Sequence, residues 1–204
     1  MNLPQALRAT LREAVGDERV LAAMDAVARE LFVGEPEAAR AYDNVALPID
    51  CGQTISQPLV VARMLELLEL APSDRVLDVG TGSGYHAALL GRLADRVWTI
   101  ERHAPLVDRA RAALAAAGAA NVICLHGDGS RGWPEAAPYD AINVAAAGGS
   151  VPRALTRQLA DGGRLIAPVG LTEQHLVRLR RSGRLVLSER LDPVRFVPLV
   201  RGTA

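Results

Sequence analysis

The chain has 204 residues, half of them hydrophobic, enough for one domain with a sizeable core. Its 23 acidic residues balance 23 basic ones, which argues against non-specific binding of nucleic acid or of an anionic membrane. Every basic residue is Arg, so a phosphate-loop lysine, a Schiff-base lysine and a lysine general base are all excluded. With only two Trp, three Tyr and two Phe, the core must be aliphatic. Cys51 and Cys124 lie far apart with no C-x-x-C, which gives neither a disulfide framework nor a zinc cluster. Residues 1–20 are charged throughout, with no continuous apolar run, and the uncharged Ala-rich stretch 112–125 is too short to span a bilayer. The expectation is a soluble, cytoplasmic monomer with no metal, no nucleic acid and no membrane partner.

Taken in chain order, residues 3–15 read as a short helix. Residues 17–33 read as a longer one, with Val20, Leu21, Met24, Val27, Ala28 and Leu31 on one stripe and Asp17 as N-cap. Irregular sequence follows, with Pro36 and Pro48, as far as the run GQTISQP at 52–58. Pro58 suits the first position of a helix over 58–70, which Pro72 ends. From Arg75 the texture changes: strands at 75–79, 96–100, 121–126, 139–144 and 163–169 alternate with helices at 84–94, 104–117 and 151–160. Such alternation predicts an α/β fold, a doubly wound, mostly parallel sheet with helices on both faces. Apolar runs at 174–180 and 184–190 flank Ser182-Gly183 and predict an antiparallel C-terminal edge. The division expected is a single domain over 1–204, with an N-terminal helical extension over 1–70 packed on an α/β core over 71–204.

The strongest local signal is Val76-Leu77-Asp78-Val79-Gly80-Thr81-Gly82-Ser83-Gly84-Tyr85. A buried strand ends, three glycines alternate and a helix begins, so a ligand can approach the main chain closely. The dinucleotide pattern is G-x-G-x-x-G. Here the spacing is G-x-G-x-G with an acidic residue two before the first glycine, which suits a nucleoside with an amino-acid tail better than a pyrophosphate. Glu101 ends the next strand, where a carboxylate can accept from ribose hydroxyls. Gly127-Asp128-Gly129 follows the third strand, where Asp128 can accept from an adenine amine or simply make a turn.

Together these residues resemble an S-adenosyl-L-methionine-dependent, Rossmann-like methyltransferase over about 75–170. The segment Leu47–Pro58, the run GDGSRGWPEAAPYDAI at 127–142 and VRFVPLV at 194–200 narrow the resemblance to protein-L-isoaspartate O-methyltransferases, over nearly the whole chain. That resemblance implies methyl transfer to the free carboxylate of L-isoaspartyl residues in peptides and proteins. The ester then collapses to a succinimide, whose hydrolysis gives some normal aspartate. It also implies site residues: Ser56 in the active site, and Thr54 and Ile55 bordering cofactor and acceptor. Asp78, Gly80, Gly82 and Ser83, with Thr81 and Gly84 of the same loop, would hold the methionine end. Glu101 would hold the ribose, and Asp128, with Gly127, the adenine.

The chemistry suits these residues. A carboxylate with a pKa near ~4 is already ionised at neutral pH, so positioning and desolvation suffice without a base. A Ser56 hydroxyl can orient it, and a helix opening at Pro58 would offer N–H groups to an anion. Read from the residues alone, Ser56 is first a cap for that helix, and a hydroxyl can do both jobs. His86 reads as a first-turn residue, His103 and His175 as solvated, and His126 as a neighbour of the adenine turn. Arg195 suits either an acceptor carboxylate or the surface.

The chain departs from the family's pattern at Ala28, at Cys51, at Ala145 and at Gly148-Gly149, where the glycines predict a mobile loop. Three other readings compete: a relative that methylates Asp in one dedicated peptide, a nicotinamide-dependent dehydrogenase, and a non-catalytic nucleoside-binding protein. The loop spacing counts against the second and the intact GQTISQP against the third.

Overall fold

The computed structural model describes residues 3–204. Helices α1 (Gln5–Ala14) and α2 (Glu18–Ala26) open the chain. A two-residue ladder, β1 (Leu47–Pro48) with β2 (Thr54–Ile55), precedes α3 (Pro58–Leu67). Then come β3 (Arg75–Val79), α4 (Tyr85–Leu93), β4 (Arg96–Glu101), α5 (Ala104–Ala116), β5 (Val122–His126), β6 (Tyr139–Val144), α6 (Arg153–Arg157), β7 (Leu159–Val169), β8 (Gln174–Ser182) and β9 (Leu185–Val194). The seven-stranded sheet runs β5-β4-β3-β6-β7-β8-β9. Its first five strands are parallel, and β8 and β9 add antiparallel at one edge, as the sequence predicts. Strand order reverses between β3 and β6, so a ligand crevice belongs at the carboxyl ends of these two strands.

Helices cover the two faces unequally. One aliphatic core joins α1 to α5 with the sheet through Val76, Val97, Ala141 and Ile166. The other face is covered by α6 and two 3-10 turns around Trp98, Tyr139 and Leu155.

Four expectations need correcting. The helix read over 17–33 breaks after Ala26: Val27 and Ala28 are extended, and Arg29–Phe32 is a separate 3-10 turn. The stripe ends with the helix: Val20, Leu21, Met24 and Val27 are buried, but Leu31 is 43% exposed, and the backbone turns to bury Arg29 and Phe32 instead. The helix read over 151–160 is only Arg153–Arg157, and β7 starts at Leu159, not Gly163. An irregularity over 160–163 let the start of that strand pass for helix, with Gly162 at φ +76° and a shift of register after Tyr139. The hairpin turn is Gly183-Arg184, one residue on from Ser182-Gly183, because Gly183 supplies the positive φ of +58° at the first central position. The segment 47–55 is a small ladder and not irregular chain.

The loop after β6 is tied down. Ala147 N donates to Val197 O at 2.8 Å, Leu199 N to Ala147 O at 2.7 Å, and Gly170 N to Gly148 O at 2.9 Å. These bonds hold what two glycines would otherwise loosen.

Candidate active site

The glycine loop leaves β3 under tight restraint. Gly80, Gly82 and Gly84 all take positive φ, at +95°, +53° and +92°, where a side chain would be strained. Gly80 N donates to Ile100 O at 3.0 Å and Gly84 N to Thr81 O at 2.8 Å. Below the loop lies a buried polar chain. Thr99 Oγ1 donates to Asp78 Oδ2 at 2.7 Å, so Thr81, whose hydroxyl lies 2.6 Å from that of Thr99, donates in turn to Thr99. Asn143 Nδ2 donates to Asp78 Oδ1 at 2.7 Å. Burial pushes the Asp78 carboxyl up to about 6, against those hydrogen bonds. Asp78 thus ties β3, β4 and β6 together beneath the loop, and does not itself line the cleft.

Glu101, at the end of β4, is buried. Its Oε2 accepts from Gly82 N at 2.9 Å, and its Oε1 from Arg102 N at 2.8 Å and His103 N at 3.0 Å. A carboxylate has about four acceptor directions, so one remains for a ligand hydroxyl.

The segment bearing Ser56 enters from the opposite wall. Cys51 and Gly52 both have positive φ, +58° and +66°, and form the tip between β1 and β2. An ion pair from Arg109 to Asp50 fastens that tip to α5. Ile55 is buried, while Thr54 and Ser56 keep exposed surface on the cleft. The hydroxyl of Ser56 is not a helix cap. Gln57 stands at the N-cap of α3 without a side-chain hydrogen bond, and Asn44 Oδ1 accepts from Leu59 N at 3.1 Å. With Pro58 lacking an N–H and that of Leu59 taken by Asn44, the expected anion site at this helix start is largely closed.

Behind Ser56 sits Arg29, 1% exposed, a residue the sequence reading passed over. Its Nε donates to Ala41 O at 2.7 Å and its Nη2 to Ser56 O at 2.9 Å. Its guanidinium lies 4.8 Å from the centroid of the Tyr85 ring. One fork therefore fixes the backbone at Ser56 against the first turn of α4. Arg29→Lys keeps the charge but cannot hold both carbonyls. It is expected to cost about 1 kcal/mol, a fall of roughly 3 °C in melting temperature by calorimetry. An unchanged melting temperature would show that the fork does not matter.

The fourth wall comes from residues 197–200, which run back across the strand ends. Beyond them Gly202 O accepts from Arg102 Nε at 3.1 Å, and Ala204 N donates to Arg102 O at 2.8 Å. Asp128 accepts from Ser130 N at 3.0 Å and Ser130 Oγ at 2.7 Å. Partial burial opposes its ionisation, but hydrogen bonds from Gly202 and Ser130 hold the carboxyl below its ordinary range.

Of the residues expected from sequence, Thr54, Ile55, Ser56, Gly80, Thr81, Gly82, Ser83 and Glu101 line one cleft. Asp78 lies beneath it. Gly84 starts α4, close against Leu114 and Ala110 of α5. Gly127 and Asp128 stand just outside, where Gly129 forms the edge. His126 is exposed, with Nε2 3.0 Å from Arg102 O. Tyr85, His86, His103 and Ala145 also line the cleft. Tyr85 and His86 were legible only as helix residues, and His103 only as a solvated loop residue.

A second groove adjoins this cleft, lined by Gln57, Val60, Arg195 and Phe196, and the two share Thr54, Ser56, Ala145 and Val197. Ser56 therefore stands on the partition between the cleft and the groove.

Known proteins place this arrangement. The chain is 50% identical over 202 residues to a protein-L-isoaspartate O-methyltransferase of Aeromonas hydrophila, covering 99% of this chain and 98% of that one. It is 50% identical over 190 residues to one of Vibrio cholerae, covering 93% and 91%. Among solved structures, a protein-L-isoaspartate O-methyltransferase superposes with a TM-score of 0.86 at 28% identity, covering 95% of this chain and 65% of that one. Another, from Plasmodium falciparum in complex with S-adenosyl-L-homocysteine, gives 0.85 at 26% identity, covering 98% and 99%. The family model for protein-L-isoaspartate(D-aspartate) O-methyltransferase matches residues 4–204, and the chain belongs to that family.

Proposed function

We infer that the chain transfers a methyl group from S-adenosyl-L-methionine to the free carboxylate of L-isoaspartyl residues. The observation that carries this is the position of Ser56 on the wall shared by the cleft and the groove. The cleft fits an adenosyl amino acid: the glycine loop gives close access to main chain, and Glu101 offers a buried acceptor for a ribose hydroxyl. The bound cofactor supplies an electrophilic methyl group on its sulfonium.

Each expected residue has a role in this reading. Gly80, Thr81, Gly82 and Ser83 cradle the methionine end, with Asp78 and Gly84 as their supports. Glu101 takes the ribose, and Asp128 with Gly127 faces the adenine. Thr54 and Ile55 border both ligands. The acceptor carboxylate is ionised at neutral pH and attacks without a base. Ser56 Oγ–H donates one hydrogen bond to orient it, and the Arg29 fork holds the main chain of Ser56 in place. The peptide lies in the adjoining groove, where Arg195 and Phe196 meet it. A cytoplasmic monomer without nucleic-acid partners suits the balanced charge and two free cysteines. Among the described residues no helix is long and apolar enough to cross a membrane.

Ser56→Ala is expected to lower kcat/KM for an isoaspartyl peptide about tenfold, the value of one hydrogen bond to a charged group, with binding of S-adenosyl-L-homocysteine unchanged. The check is transfer of labelled methyl to paired peptides carrying L-isoaspartate or L-aspartate. Equal transfer to both, or none to either, would sink the acceptor assignment.

A further inference from the structure

His86 is the second residue of α4, immediately after the glycine loop, and is 8% exposed. Its Nδ1 lies 3.3 Å from Asn143 Nδ2. The same Nδ2 donates to Asp78 Oδ1. That bond fixes the amide's orientation, since the reverse would set the Asn143 carbonyl oxygen against a carboxylate. Nδ1 of His86 therefore accepts, and the ring proton sits on Nε2.

Nε2–H is a buried donor with no partner among the described residues. His86 lines the cleft in company with Ser56, Ser83 and Tyr85, and its covered Nε2 meets a ligand there only after a small shift of the ring. An unmade hydrogen bond of this kind is unfavourable to the fold and is relieved when a ligand brings an acceptor. Burial drives the imidazole pKa down to about 3, so the group stays a neutral N–H donor across the physiological range. Under the methyl-transfer reading two ligand groups enter this cleft as acceptors only: the carboxylate of the cofactor's amino-acid tail and the carboxylate of the isoaspartyl residue.

We propose that His86 is a ligand-binding residue whose Nε2–H, held in that tautomer by Asn143, donates to a carboxylate bound in the cleft. This rests on the methyl-transfer reading, which the parent protein tests separately by binding S-adenosyl-L-homocysteine and methylating an isoaspartyl peptide.

The experiment compares His86→Leu, which removes the donor, with His86→Gln, which retains an N–H. Calorimetric titration with S-adenosyl-L-homocysteine is set beside titration with 5′-methylthioadenosine, the same nucleoside without the amino-acid tail. The KM for an isoaspartyl peptide is measured on each variant. Expected is an approximately tenfold loss of S-adenosyl-L-homocysteine affinity in His86→Leu, unchanged methylthioadenosine affinity, and recovery of most of the loss in His86→Gln. A peptide KM raised about tenfold with both nucleoside affinities unchanged would assign the donor to the acceptor carboxylate and also support the proposal. Equal weakening of both nucleosides would mark a packing defect. That result, or no change in any of the three quantities, overturns it.

Discussion

Glu101→Ala is expected to weaken binding of S-adenosyl-L-homocysteine roughly a hundred-fold in a calorimetric titration. Two losses add. A charged hydrogen bond to a ribose hydroxyl is worth about 1.5–3 kcal/mol. The same carboxylate also holds Gly82 N, Arg102 N and His103 N in place, and without it the loop must be ordered again on each binding event. Glu101→Gln separates the two, because a neutral amide can still accept from main chain through its oxygen. It is expected to fall between the parent and the Ala variant. An Ala variant that binds as the parent does would remove Glu101 from the cofactor site altogether.

Asp78→Ala is expected to lower stability by about 3 kcal/mol, a fall of roughly 6–12 °C in melting temperature for a chain of this size. It strands the buried donors of Asn143 and Thr99 and releases the Thr99–Thr81 chain that supports the glycine loop. The carboxyl also carries a pH signature. Its folded pKa of about 6 lies above the ordinary 3.8. Its contribution to stability is therefore full below about pH 4 and is lost as pH rises through about 6. Asp78→Asn, which stands for the protonated form, should gain on the parent by roughly 3 kcal/mol between about pH 4 and pH 8. Urea denaturation at the two pH values measures that difference directly. A constant gap would mean that Asp78 titrates as an ordinary carboxylate.

Much of this architecture was legible in the sequence because it rests on short-range pattern. The run from Val76 to Tyr85 announces strand, turn and helix by itself, and the alternation of strands with helices that follows predicts the parallel sheet. Where the reading failed, long-range contacts decided the backbone. The stripe from Val20 to Leu31 is helical in period. Yet the chain breaks at Val27 because Arg29 reaches Ala41 and Ser56, residues no local window contains. Ser56 could be read as a cap until Asn44 was seen to perform that task. His86 reads from the sequence only as a first-turn residue, because its meaning depends on Asn143, 57 positions away.

The fourth wall of the cleft has a consequence for how the protein matures. The cleft needs residues 53–56, 79–83, 100–103 and 145–146, and it is finished only by 197–200. Chains grow at about 5–20 residues per second, so the earlier walls emerge seconds before the last one. A ligand that binds only the native state stabilises it by mass action, and here that help arrives only after Val200 has been made. During synthesis the half-built crevice must hold without a ligand, on its own packing and on hydrogen bonds such as those of Asp78, and a chain stalled before VRFVPLV would carry the glycine loop and Glu101 yet lack a complete cleft to bind the nucleoside.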